Sequence, residues 1–161
     1  MKTHVVIASF LCVVVYPLHA GDKIDIPAVV TKAEAEKILG VPVKDPKGKN
    51  KEGKDGFYDS DWTYYAVTGD KALVFDVVYP GRDAPPHLTE KMFSVMIPDR
   101  GKPVSVEGLG DKANFCHDEA GLEMIHVLKG DVLISIGTHG VPEKTALEQE
   151  KLLAAKILAR L

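Results

Sequence analysis

Cys116, His117, Asp118 and Glu119 stand side by side in GLGDKANFCHDEAG, residues 108–121: a thiol, an imidazole and two carboxylates, the groups that nucleophilic and metal chemistry use. Thiol catalysis needs the base within hydrogen-bond reach of the sulfur. If residues 112–117 form a strand, Cys116 and His117 point to opposite faces, Cys116 with Asn114 and His117 with Phe115. Adjacency then argues against a dyad, and Cys116 reads as a small half-buried hydrophobe, with Asp118 and Glu119 in a turn.

A metal ion needs three or four converging ligands. Beyond the first 20 residues the histidines are His87, His117, His126 and His139. Folding about DEAG sets His117 opposite Leu122 or Glu123, leaving His126 on the order of 13 Å away at strand spacing. His139 can return near Leu122, so His117, Asp118 and His139 form the one arrangement with enzymatic potential, as a metal-dependent or hydrolytic site. No H-E-x-x-H or C-x-x-C spacing supports it. The expectation is therefore no metal, no cofactor and no assigned catalytic residue.

The last hairpin is more informative. With a turn at Gly130 and Asp131, Ile125 and Val127 join Val132, Ile134 and Ile136 on one apolar face. The other face carries Met124, His126, Leu128, Leu133 and Ser135, and it too is largely apolar. A sheet covered on one side only reads polar on the second, so this face calls for a helix, a second copy of the chain or a ligand. Met124, His126, Leu133 and Ser135 are the expected ligand- or partner-binding residues, and an unknown protein or a small apolar ligand the expected partner. A homo-oligomer is a further expectation.

The elements that would position these residues follow from local signals. In VVTKAEAEKILG, Thr31 and Glu34 make a capping box and Gly40 a stop, predicting a helix over 32–39. VPVKDPKGKNKEGKDG has almost nothing to bury and reads as a mobile loop whose lysines alternate with Asp45, Glu52 and Asp55. YDSDWTYYAV and KALVFDVVY flank TGDK, predicting a hairpin that pairs Thr68 with Lys71. Its core face carries Trp62, Tyr64, Ala66, Leu73, Phe75 and Val77, its reverse Thr63, Tyr65, Val74, Asp76 and Val78. HLTEKMFSVM spaces Leu88, Met92, Val95 and Met96 as a helix ending before Pro98.

KPVSVEGLG, DKANFCH, LEMIHVLK and DVLISIGTH read as an antiparallel meander. The glycines of GLGDKA lack the G-x-G-x-x-G spacing of a nucleotide cradle and serve backbone conformation. A last helix opens at Pro142 and Glu143 with a stripe of Leu147, Leu153, Ala154, Ile157, Leu158 and Leu161. The sum is an α+β fold: an antiparallel sheet of about five to six strands with helices packed mainly on one face.

The N-terminus, MKTHVVIASFLCVVVYPLHA, has the basic start, short apolar run and small terminal residue of a cleaved signal peptide over residues 1–20. Cys12 falls inside it. Removing 20 residues from 161 leaves about 141, the length of a single domain over 21–161. Losing Lys2 takes the formal charge from −3 to −4, too mild to indicate nucleic acid or an anionic membrane. No later stretch is long enough to span a bilayer, and Cys116 alone cannot make an intrachain disulfide. A soluble protein of the periplasm or the secreted fraction is expected.

Taken together, TKAEAEKILG, the aromatic hairpin, VSVEGLGDKANF and the last helix resemble a class of small bacterial secreted or lipid-anchored domains with α+β folds of the Mog1 and PsbP group. The chain departs from that class in carrying neither a lipid-attachment cysteine nor a cysteine pair, and the resemblance implies no catalytic residues. The expected function is a non-enzymatic binding or interaction module of the bacterial envelope, the alternatives being the His117, Asp118, His139 enzyme and a structural subunit of an envelope complex.

Overall fold

The computed structural model describes residues 23–96, 103–117 and 121–161. The expected leader with Cys12, the stop at Pro98, and Asp118 lie outside the described residues.

Thr31 begins the first long helix as its composition dictates. Its hydroxyl accepts from the Glu34 N–H, the Glu34 carboxylate reaches back to the Thr31 N–H, and Gly40 closes the end at φ 68°. This helix, α2 (Lys32–Leu39), follows a single turn, α1 (Ile26–Val29). The strands are β1 (Lys47–Glu52), β2 (Tyr58–Tyr65), β3 (Ala72–Tyr79), β4 (Val104–Ser105), β5 (Lys112–His117), β6 (Leu122–Lys129) and β7 (Val132–His139), with helices α3 (Leu88–Val95) and α4 (Glu143–Leu158) between and after them. They form one antiparallel sheet in the order β1-β2-β3-β7-β6-β5-β4. No helix among the described residues is long and apolar enough to cross a membrane.

The sheet has seven strands where five to six were expected, because the lysine-rich segment read as a mobile loop supplies β1. Every residue of β1 is exposed, so no pattern of burial announces it. Asn50 anchors it instead: its amide donates to Asp25 Oδ1 at 2.8 Å, and its carbonyl accepts from Ser60 Oγ at 2.8 Å and Trp62 Nε1 at 2.9 Å. Gly48 lets the two backbones approach, since a Cβ there would lie 2.0 Å from the Asp61 carbonyl oxygen.

The β2–β3 hairpin is also longer-looped than its sequence suggests. Tyr65 pairs with Ala72 and the Ala66 N–H bonds the Lys71 carbonyl, so residues 67–70 form the loop and Thr68 does not pair with Lys71. A slip of two keeps every side chain on its face: Tyr64, Leu73, Phe75 and Val77 are buried in the main core, and Tyr65 is exposed.

That main core fills the front of the sheet, where Ile26, Val30 and Leu39 from α1, α2 and their junction meet Tyr64, Phe75, Ile125 and Ile136, and where α4 lays Ala146, Leu153, Ala154 and Ile157. Three of the four helices therefore cover one face. The fourth, α3, covers part of the other, packing Phe93 with Met92 and Met96 against Val78, Leu128 and Leu133. The inward positions of α3 are Thr89 and Phe93; Val95, expected in the stripe, is 78% exposed.

Candidate functional site

The opening cluster divides across the sheet. Cys116 is buried on the reverse face, where it pairs with Met124, while His117 pairs with Glu123 on the front. His117 Nδ1 sits 2.9 Å from Glu123 Oε1. His139 pairs with Leu122, which places it on the reverse face, with Nδ1 on the Gly121 carbonyl at 3.0 Å and Nε2 3.7 Å from Asp70. His117 and His139 thus lie on opposite faces of the sheet, and Asp118, the third member of the expected enzymatic arrangement, lies outside the described residues. Among the described residues no group of three His, Cys, Asp or Glu could hold a metal ion.

The four expected binding residues do share the reverse face, but three of them are buried: Leu133 is 0% exposed, and His126 and Ser135 are buried with it. Phe93 and Met96 of α3 complete that cover. Met124 is half-buried and lies over Gly137, where a Cβ would come within 3.0 Å of its Cγ. His126 Nδ1 and Ser135 Oγ are 2.9 Å apart, and the Ser135 hydroxyl faces Met96 Sδ at 3.8 Å. With the hydroxyl proton turned to sulfur, His126 Nδ1–H donates to Ser135. That polarity is the reverse of the one by which an imidazole activates a serine.

His126 and Ser135 belong to a polar row that crosses the reverse face in register, from Asp61 through Asp76, Ser135 and His126 to Asn114. At its acidic end, burial, reinforced by Asp59 and Asp61 and opposed by Lys51, pushes the Asp76 carboxyl up to about 7. Lys51 holds the neighbouring Asp59 at 2.9 Å.

On the front face, α4 carries a second unusual carboxyl. Glu150 is 0% exposed, accepts from Thr138 Oγ1 at 3.0 Å, and has no partner for its other oxygen. Burial, with a smaller contribution from Glu123, pushes it up to about 9 against the Thr138 hydrogen bond. It is a neutral acid at pH 7, sealed from solvent.

An apolar opening lies at the far end of α4. There Leu158 and Leu161 of the helix end, Tyr79 of β3, and Val132 with the β6–β7 turn enclose an apolar cleft of about 630 Å³. Volumes of about 300–1,000 Å³ are those of small-molecule sites. Gly110 of the GLGD segment lines one side. Gly110, at φ 58°, presses so close to β6 that a Cβ would lie 2.5 Å from the Leu128 carbonyl oxygen. Asp111 then ties the turn, accepting from Gly130 N–H at 2.7 Å and Lys129 Nζ at 2.8 Å. The Tyr79 hydroxyl accepts from the Ile24 N–H at 3.2 Å. The cleft can bind by shape and apolarity, with the Lys129–Asp111 pair at its rim.

Sequence reasoning placed Leu158 and Leu161 on the helix stripe and Val132 on the apolar face of the last hairpin but none of them at a cleft, and it did not single out Tyr79 or Lys129. Comparison with protein-family models, with curated proteins and with solved structures finds no match to this chain.

Proposed function

We propose that this chain is an exported, non-enzymatic binding module of the bacterial envelope, resembling the small Mog1- and PsbP-like domains, and that it holds a small apolar ligand in the cleft at the end of α4. The observation that carries this reading is the cleft itself: about 630 Å³, walled by Tyr79, Val132, Leu158 and Leu161. Its chemistry favours an aromatic or acyl body, with any anionic end near Lys129. The expected reverse-face residues His126, Leu133 and Ser135 are buried, whereas the apolar cleft is open.

The test is titration of the folded chain with a fluorescent naphthalene sulfonate and with a twelve-carbon fatty acid. Val132→Trp, which fills the cleft from a half-buried position, should abolish saturable binding and leave the melting temperature near that of the unaltered chain. Absence of saturable binding to either probe, or binding unchanged by Val132→Trp, would sink the proposal.

A further inference from the structure

The lysine-rich segment has a second consequence once its ion pairs are assigned. Lys32 takes Asp45, Lys23 takes Glu52 and Lys51 takes Asp59, each at 2.9 Å. Two of those bonds occupy Asp45 and Glu52, while Asp55, the third acid of the segment, accepts from the Phe57 N–H. The ammonium groups of Lys44 and Lys47 are left with no carboxylate or hydrogen-bond partner among the described residues, although the Lys44 backbone N–H bonds the Tyr65 carbonyl. Both line a polar cleft of about 270 Å³ at the β2–β3 loop, together with Lys71, Tyr65, Gly69 and Asp70.

Three lysines and one carboxylate thus line the cleft. Asp70 does little to neutralise them, being 84% exposed and turned toward His139. Lys71 Nζ is fixed by the Leu39 carbonyl at the end of α2, 2.9 Å away, so one cation of the three is held in place. The loop adds neutral donors: Val67 N–H is used by the Pro42 carbonyl, whereas the N–H groups of Thr68, Gly69 and Asp70 carry no bond among the described residues. Gly69 sits at φ 84°, a left-handed conformation of the kind that lets successive N–H groups converge on an anion. The exposed ring of Tyr65 forms a wall on which a planar group can stack.

We propose that this cleft binds the phosphate or sulfate group of a small ligand through Lys44, Lys47 and Lys71. The site is separate from the apolar cleft and stands or falls independently of it.

The test follows backbone amide shifts of Lys47, Tyr65 and Gly69 at low ionic strength, where screening is weakest, during titration with inorganic pyrophosphate, sulfate and glycerol phosphate. A parallel arm measures co-sedimentation with phosphatidylglycerol vesicles. Lys44→Gln with Lys47→Gln should weaken binding by about tenfold, as expected for losing two charge-assisted contacts that are partly screened. Lys49→Gln with Lys54→Gln, which removes two charges from the same segment outside the cleft, should change it less than about twofold. Saturation by the soluble ions assigns the oxyanion to a free ligand, and saturation by vesicles alone assigns it to a lipid headgroup, both in support of the site. No saturable response in either arm, or equal weakening by the two double variants, would overturn it.

Discussion

Glu150→Gln should make this protein more stable at neutral and alkaline pH, although it alters a fully buried side chain. The amide keeps an acceptor for the Thr138 hydroxyl and replaces the unpartnered oxygen by an uncharged group. In the unaltered chain the folded carboxyl sits at about 9 against an ordinary value of 4.5. The folded state therefore binds a proton that the unfolded state has already released. This contribution to stability is fully present below about pH 4.5, falls as pH rises between the two values, and levels off above about pH 9.

Asp76, raised from 3.8 to about 7, gives a slope of the same sign that is half spent at about pH 7 and finished by about pH 8. Glu150 therefore dominates the interval from pH 7 to pH 9. At about 1.36 kcal/mol per pKa unit, the unaltered chain loses on the order of 3 kcal/mol across it. The charged group facing Glu150 is Glu123, whose carboxylate lies 2.9 Å from His117 Nδ1. Urea denaturation at pH 7, 8 and 9 reads the result: midpoints that fall with pH for the unaltered chain and stay level for Glu150→Gln. Parallel curves for the two, or a loss for Glu150→Gln matching that of Glu150→Ala, would refute a neutral buried acid.

Asp76→Asn should likewise remove the fall in stability between about pH 4 and pH 7, with a gain of about 1–2 kcal/mol at pH 7 once partial solvent access is allowed for, read by thermal melts across that range. Asn50→Ala should cost about 1–3 kcal/mol by removing the bonds to Asp25, Ser60 and Trp62, and should abolish hydrogen-exchange protection of β1 while sparing β3 and β7. Phe93→Ala should cost about 3 kcal/mol and uncover Leu133, seen as binding of an apolar dye above that of the unaltered chain.

What the sequence discloses here is what depends on neighbours along the chain. The Thr31 and Glu34 capping box needs four consecutive residues, and α2 forms where they predict. Alternation assigns the faces of β2 and β3 correctly even though the register is off by two, because a slip of two preserves parity. β1 escaped because it buries nothing, and its anchor, Asn50, acts through Asp25, Ser60 and Trp62, which no local pattern connects. The apolarity of the second face in the last hairpin was legible; that α3 caps it with Phe93 was not, since that depends on how a helix from another part of the chain docks. Glu150 lies in line with Ala146, Leu153 and Ala154 on α4, so its burial could have been read from the helix period. The α4 cleft could not: it is a gap bounded by segments far apart in the chain.

An open sheet ends in two strands whose outer backbone groups are available to any passing extended chain. In this protein one end strand bears Lys47, Lys49 and Lys51, and the last described strand at the opposite end is only two residues long, Val104–Ser105. A neighbouring copy approaching β1 must bring its own row of ammonium groups alongside the first, and one approaching β4 finds too short a ladder to hold. Both terminal strands therefore discourage growth of the sheet from molecule to molecule. The lysines that add nothing to the core protect the protein from its own concentration.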